Sequence, residues 1–183
     1  FSHSRISLIG IVFVVYLFPL LIWRLFSLFY PIKIGTQYIG LRESSGSSWI
    51  VSYYCQFLFN TFGFLEKLFI CIPGLYSFWL RLWGSKIGKS IVWTPSIMIV
   101  DRTHLTIDDY AFIGSLVYIS NHTIRRKNGR LLLFFKGVHV GSRVILGYGS
   151  VLGPGANIPD SLEVRALSYC FQNKIQEGGQ WKV

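Results

Sequence analysis

A chain of 183 residues with a net charge of +10, 51% hydrophobic and 14% charged, is long enough for one ordinary domain or for a small domain joined to a membrane segment. It is more apolar and less charged than a typical soluble domain. Three cysteines without a CxxC spacing exclude both a disulfide framework and a zinc ribbon, are compatible with a reducing compartment, and read as small packing residues.

The first expected element is an apolar helix. Residues 6–23 (ISLIGIVFVVYLFPLLIW) carry no charge over 18 positions, enough at about 1.5 Å per residue to cross most of a bilayer core. Pro19 is tolerable in lipid, where it kinks the helix. Arg5 before the run raises the alternative of a signal peptide, but the run is long and no small-residue cleavage pattern follows. Phe1 is not an initiator methionine, which leaves processing or a longer parent chain open. A second apolar zone, 49–83, is interrupted by Glu66 and Lys67. Its first part, 49–65, is read as a second crossing or a re-entrant helix, and 68–80 as an interfacial helix. Trp49, Tyr53, Tyr54, Tyr76, Trp79 and Trp83 are expected at headgroup level. A buried core helix pair is the alternative.

Eleven of the 18 Lys and Arg lie after residue 86. Such a balance fits nucleic acid or an anionic membrane surface. The apolar segments favour the membrane, and no nucleic-acid module accompanies the charge. By the positive-inside rule the C-terminal half is expected to be cytoplasmic, in an integral membrane protein.

From residue 140 the text runs VGSRVI LGYGSV LGPGAN IPDSLE V, with aliphatic residues at 140, 146, 152, 158 and 164. Gly141, Gly147, Gly153 and Pro159 follow the first four. An earlier ladder holds Ile107, Ile113 and Ile119, followed by Asp108, Gly114 and Ser120. Ile87, Trp93, Ile99 and Leu105 keep the period two residues out of phase, so one corner must absorb a slip. A period of six predicts a solenoid of very short strands, each too small to bury its own side chains and stable only as a stack. The small residue after each aliphatic position is expected to let the backbone turn where a bulky side chain would clash. The paired glycines at 147/149 and 153/155 lack the strand-loop-helix context of a nucleotide loop.

Between Ile119 and Val140 the ladder is broken by SNHTIRRKNGRLLLFFKG. Two short strands joined by Asn128-Gly129 form the expected hairpin, and at its base stands His122.

WLRLWGSKIGKSIVW, IVDRTHLTIDDYAFIG, ISNHT and VGSRVILGYGSVLGPGANIPDSLEVRALS together resemble the left-handed β-helix acyltransferases of the hexapeptide-repeat superfamily. The closer resemblance is to its membrane-associated branch, which includes the C-terminal halves of some nonribosomal-peptide-synthetase-like proteins. It covers roughly residues 79–170. It implies a mainly β chain: a left-handed parallel β-helix of hexapeptide repeats preceded by N-terminal transmembrane or interfacial α-helices. The expected division is a membrane-anchoring segment 1–84, a β-helix 85–168 with a hairpin insertion at 121–137, and a tail 169–183. It also implies coils of three hexapeptides, a homotrimer or larger membrane complex, and acetyl-CoA or another acyl-CoA as donor, with no metal expected.

In that reading His122 is the general base. An imidazole near its ordinary pKa of about 6.5 suits proton removal at neutral pH, and a glycine-rich corner supplies oxyanion donors. Asn121 is expected to orient substrate, and Asp101 or His104 to orient the imidazole. Arg125, Arg126, Lys127 and Arg130 are offered to the phosphates of coenzyme A or of a lipid headgroup. The bland alternatives are a solvated loop histidine and a solvated or lipid-facing hairpin. The sequon Asn121-His122-Thr123 matters only if this half is lumenal. Two other functions stay open. His104, His122 and His139 could form a zinc site of the gamma-carbonic-anhydrase kind. A non-catalytic β-helix capping a membrane complex fits two departures: Ile107-Asp108 stands where the family has Ile-Gly, and the short Gly-x-Pro-Ala motif common near the end of these chains is absent.

Overall fold

The computed structural model describes residues 10–40, 46–177 and 180–182. Arg5 and the start of the first apolar run lie outside the described residues, as does part of the tail. The chain mixes α and β structure: four helices precede a stack of very short strands.

The stack follows from the six-residue ladder. Strands β2 (Lys86–Ile87), β5 (Leu105–Ile107), β10 (Val138–Val140) and β13 (Asn157–Ile158) form one parallel sheet. β3 (Val92–Trp93), β6 (Phe112–Ile113), β11 (Ile145–Leu146) and β14 (Glu163–Val164) form the second. β4 (Met98–Ile99), β7 (Tyr118–Ile119), β12 (Val151–Leu152) and β15 (Tyr169–Phe171) form the third, which β16 (Lys174–Glu177) and β17 (Gln180–Lys182) extend antiparallel. Four coils therefore stack at the usual strand spacing of about 4.8 Å in a β-helix-like solenoid.

Register turns the ladder into three inward columns. They are Ile87, Ile107, Val140 and Ile158; Trp93, Ile113, Leu146 and Val164; and Ile99, Ile119, Leu152 and Cys170. Cys170 is thus a ladder residue in its own right, fully buried. Leu105 is not a ladder position, although it too is buried. Ile107 pairs with Ile87, so the slip falls between the ladder residues Ile99 and Ile107, where the corner after β4 leads into β5.

The corners show the expected clash and move the turn. The glycine after a ladder residue does not serve to reach an unusual backbone angle. At Gly147 an added Cβ would stand 2.5 Å from the backbone nitrogen of Ala166 in the next coil, so the constraint is the close approach of neighbouring coils. The turn itself is made two residues further on, where the backbone is left-handed at Ser90, Ser96, Tyr110, Leu116, Arg143, Gly149, Gly155, Ser161 and Leu167. Most of these are not glycine, at a cost of about 1–2 kcal/mol each. The geometry aims their N–H groups at the coil below, as in Tyr110 to Lys89 O, Arg143 to Asp109 O and Ser161 to Ser142 O.

Helix α1 (Gly10–Phe29) contains a π-helical stretch at Phe13–Leu17 and has a mean hydropathy of 2.2. It buries Leu20 and Trp23 and exposes most of its other apolar side chains. Among the described residues it alone is long and apolar enough to cross a membrane. The run at 49–65, expected as a second crossing or a re-entrant helix, forms no helix long and apolar enough to cross. α2 (Ser47–Thr61) has 15 residues, about 22 Å, and its buried residues include Gln56 and Ser52. α3 (Phe64–Ile70) and α4 (Leu75–Trp83) follow. Trp49, Tyr76, Trp79 and Trp83, expected at headgroup level, are core residues. The open end of the first coil needs a cover, and these rings supply it: Tyr76 stands edge-on to Trp93, and Phe59, Trp79 and Trp83 pack together at 5.2–6.0 Å between centroids.

The insertion forms the expected hairpin, β8 (His122–Lys127) and β9 (Arg130–Phe135), turning at Asn128 and Gly129 with φ of 51° and 73°. A third strand, β1 (Gly35–Ile39), pairs antiparallel with β9 and makes the arm a three-stranded sheet.

Gly147→Ala is expected to lower folding stability by about 1–3 kcal/mol through overpacking, because the clash is with backbone. Thermal unfolding followed by circular dichroism in detergent is the check.

Candidate functional site

The slip between β4 and β5 places Val100, Asp101, Arg102, Thr103 and His104 where an ordinary corner would be shorter, and the hairpin leaves the stack one coil above. The two irregularities meet. His122 Nδ1 lies 2.6 Å from Asp101 Oδ2, with the side chains 14% and 3% exposed. Asp101 Oδ2 also accepts the backbone N–H of Asn121 at 2.9 Å, and Oδ1 accepts the indole N–H of Trp49 at 3.4 Å. The Ser120 hydroxyl, with one proton to give, stands 3.0 Å from His122 O and 3.4 Å from Asp101 Oδ2. Trp49 covers the imidazole, its ring centroid 4.7 Å away.

A carboxylate on Nδ1 sets the tautomer: Nδ1 carries the proton and Nε2 the lone pair. No hydrogen bond occupies Nε2 among the described residues. The group is therefore oriented and backed by a negative charge on one nitrogen, with the other left to act on a proton outside.

Of the two orienting residues expected, Asp101 takes the role. His104 does not: its ring meets Phe135 edge-on at 5.2 Å, and burial lowers its pKa against the opposing pull of Asp101. Asn121 is fully buried, and its Nδ2 donates to Thr103 O, tying the hairpin base to the slip corner. Arg125, Arg126, Lys127 and Arg130 come together at the hairpin tip, all exposed. At about 3.4 Å per residue, Arg125 stands about 10 Å and Lys127 about 17 Å along the strand from His122. Arg126 shares His122's face of the strand, while Arg125 and Lys127 are on the other. The Arg130 guanidinium lies 4.1 Å from the centre of the Tyr38 ring.

Sequence reading missed Trp49 and the work of Ser120. Trp49 approaches from 52 residues before Asp101, and no local pattern signals that. Ser120 occupied a slot where a small residue was expected and is recruited for its hydroxyl.

Beneath the dyad, Arg102 is 1% exposed. Its Nε donates to Glu66 Oε1 at 2.6 Å, its Nη2 to Glu66 Oε2 at 2.5 Å and its Nη1 to Asn60 Oδ1 at 2.7 Å. Its backbone N–H donates to Gln56 Oε1 at 2.6 Å, and Trp79 Nε1 donates to Glu66 Oε1 at 2.6 Å. Burial works against the guanidinium's charge, but Glu66 outweighs it and raises the pKa.

The third histidine stands elsewhere. His139 on β10 has Nε2 2.8 Å from Asp108 Oδ2 in the coil below and Nδ1 2.8 Å from Asn157 Oδ1 in the coil above. Asp108, the departure from Ile-Gly, is thus an inter-coil partner. Among the described residues no group of three His, Cys, Asp or Glu is arranged to hold a metal.

Fold and site together define a class: a short-strand solenoid presenting a carboxylate-backed imidazole at the root of an inserted arm. Two curated proteins, from Escherichia coli (strain K12) and Shigella flexneri, are each 50% identical to the chain over 38 residues, which is 21% of this chain and 21% of theirs. Both carry the description colanic acid biosynthesis acetyltransferase WcaF. The match thus spans about a fifth of the length of these relatives. No known family profile matches the chain, and no solved structure does.

Two outcomes follow from the ion pairs. Glu66→Ala leaves a buried guanidinium unpaired and is expected to cost about 3–5 kcal/mol, read as loss of the near-ultraviolet aromatic signal at lower temperature. For His139, burial lowers the pKa, but the bonds to Asp108 and Asn157 prevail and raise it. Its contribution is therefore full below the unfolded value of about 6.5 and is lost as pH rises through the higher folded value. Asp108→Asn should lower the melting temperature at about pH 6 and leave it nearly unchanged at about pH 9. With both side chains 43% exposed, the effect should stay below about 1 kcal/mol.

Proposed function

We propose that the chain is a membrane-anchored acyltransferase of the left-handed β-helix, hexapeptide-repeat kind, with His122 as general base. The observation that carries this is the 2.6 Å contact between Asp101 and His122 Nδ1 at the root of the arm, with Nε2 unengaged. Acetyl transfer, named in the description of the two relatives, supports acetyl-CoA as the donor, other acyl-CoA chains being the alternative.

In this reading an acceptor hydroxyl or amine attacks the thioester carbonyl while Nε2 removes its proton. Asp101 stabilises the imidazolium that results, as the carboxylate partner of a general base does. Collapse of the tetrahedral adduct breaks the carbon–sulfur bond, and the imidazolium returns the proton to the departing thiolate. Such a base contributes about 10²- to 10⁴-fold. Asn121 and Trp49 are positioning residues, one locking the hairpin root to the slip corner and the other covering the dyad. The cations at 125, 126, 127 and 130 stand away from His122 along the arm, which suits a donor whose phosphates are separated from its thioester by the pantetheine chain.

The division into an anchoring part through residue 84 and a solenoid from 85 onward belongs to the same proposal. α1 is the anchor, the solenoid is cytoplasmic, and the acceptor is a membrane-bound saccharide or metabolite within reach. Val92, Phe112 and Ile145 stand in register on the outer face of the second sheet, all exposed. This apolar column fits burial against a second copy, in a homotrimer or larger complex.

The test is thiol release from a panel of acyl-CoA donors by membranes carrying the wild-type chain, His122→Ala or Asp101→Asn at equal protein level, with total membrane lipid extract as acceptor. Release should fall about 10²- to 10⁴-fold for His122→Ala and strongly for Asp101→Asn. Equal release by all three chains would leave the β-helix as a non-catalytic cap of a membrane complex.

A further inference from the structure

A cavity of about 440 Å³ lies where the C-terminal half of α1 and the loop after it meet the slip corner and the end of α4. Its size is within the range of small-molecule sites. Trp83 Nε1, Thr103 Oγ1 and His104 Nδ1 are buried polar atoms without a hydrogen-bond partner among the described residues, and all three residues line this cavity. Trp83 is 0% and Thr103 2% exposed. Unpaired buried polar groups are costly, and the three residues that carry them share this one cavity. The same cavity carries two cations, Arg24 and Lys86, and Arg24 is the one charged residue of α1. Its remaining wall is apolar, including Trp23, Ile32 and Ile34, with Ile34 and Leu28 exposed beside it along α1 and its loop.

Two cations together with an indole N–H and a hydroxyl are donors converging on an anion with several oxygens, and phosphate is the group that uses them all. The apolar wall continuing onto α1 supplies the place for a hydrocarbon chain. We infer that this cavity binds the phosphate ester of a membrane-embedded amphiphile, with Arg24 and Lys86 meeting its charge and Trp83 Nε1–H and Thr103 O–H completing its hydrogen bonds. Coenzyme A carries the same phosphate chemistry without the hydrocarbon chain, and the test separates the two. The inference takes from the functional reading only the membrane position of α1. It needs no acyl transfer.

The experiment is equilibrium binding of radiolabelled dodecyl phosphate to the full chain in neutral-detergent micelles, with inorganic phosphate, coenzyme A and dodecanol as competitors. Saturable binding is expected, displaced weakly by inorganic phosphate and not by dodecanol. Arg24→Gln combined with Lys86→Gln should weaken it about tenfold or more, as loss of charge-assisted hydrogen bonds does. Thr103→Val, which removes the hydroxyl and keeps the shape, should weaken it several-fold. His122→Ala should leave it unchanged, so that loss of acyl transfer and loss of this site are told apart. Absence of saturable binding would overturn the inference, as would affinity indifferent to Thr103→Val or to the paired substitutions. Displacement by coenzyme A at lower concentration than the unlabelled amphiphile would assign the cavity to the donor, and equally overturn it.

Discussion

The buried pairing of Arg102 with Glu66 is the interaction on which the rest of the structure turns. A guanidinium 1% exposed cannot stand alone in a protein interior, where an unpaired charge costs far more than any one contact returns. Both carboxylate oxygens of Glu66 and the side-chain oxygen of Asn60 answer it, and Gln56 takes the backbone N–H of the same residue. Two helices are thereby held on the slip corner. Because α2 is held there, Trp49 at its start reaches Asp101 and His122. The dyad thus inherits its geometry from a charge pair outside it.

A regular solenoid offers little for such a site. Each ordinary corner does the same work: a small residue where the next coil passes close, then a left-handed residue whose N–H bonds to the coil below. The candidate site collects where that regularity fails. The lengthened corner supplies Asp101, and the insertion one coil later supplies His122. Two ladder followers that are not glycine carry polar contacts: Ser120 touches the dyad, and Asp108 holds His139 across coils. Both keep the inter-coil backbone bond, Asp108 N–H to Val140 O at 2.8 Å and Ser120 N–H to Leu152 O at 3.0 Å, and add a polar side chain to it.

The helical layer has two tasks that its composition blends together. α1 keeps its apolar surface outward, burying only Leu20 and Trp23, whereas α2 to α4 bury Trp49, Phe59, Tyr76, Trp79 and Trp83 and leave Tyr54, Leu68 and Phe78 exposed. A solenoid end exposes unpaired strand edges and an open column of apolar side chains, and must be covered. The tryptophans and Phe59 do this with edge-on ring contacts that combine large apolar area with favourable quadrupole geometry.

What the sequence by itself determined is the part of the protein built by repetition or by a strictly local turn. The ladder residues recur every six positions because each meets the same packing demand, and the Asn128-Gly129 turn needs nothing beyond its own backbone angles. Even the existence of a slip was legible, although its place was not, since Leu105 and Ile107 are both buried and only register tells them apart. Tertiary structure alone decided the rest. Whether the apolar run at 49–65 crosses a membrane or caps a coil depends on what Gln56 and Glu66 find to bind, and their partner Arg102 lies 46 and 36 residues away. β1 becomes a strand only because β9 lies beside it. The choice of Asp101 over His104 as the partner of His122 rests on a contact 21 residues apart, and Trp49 joins them from further still. Single long-range contacts leave no period in a sequence, because each is made once, by one pair of residues, after the chain has folded.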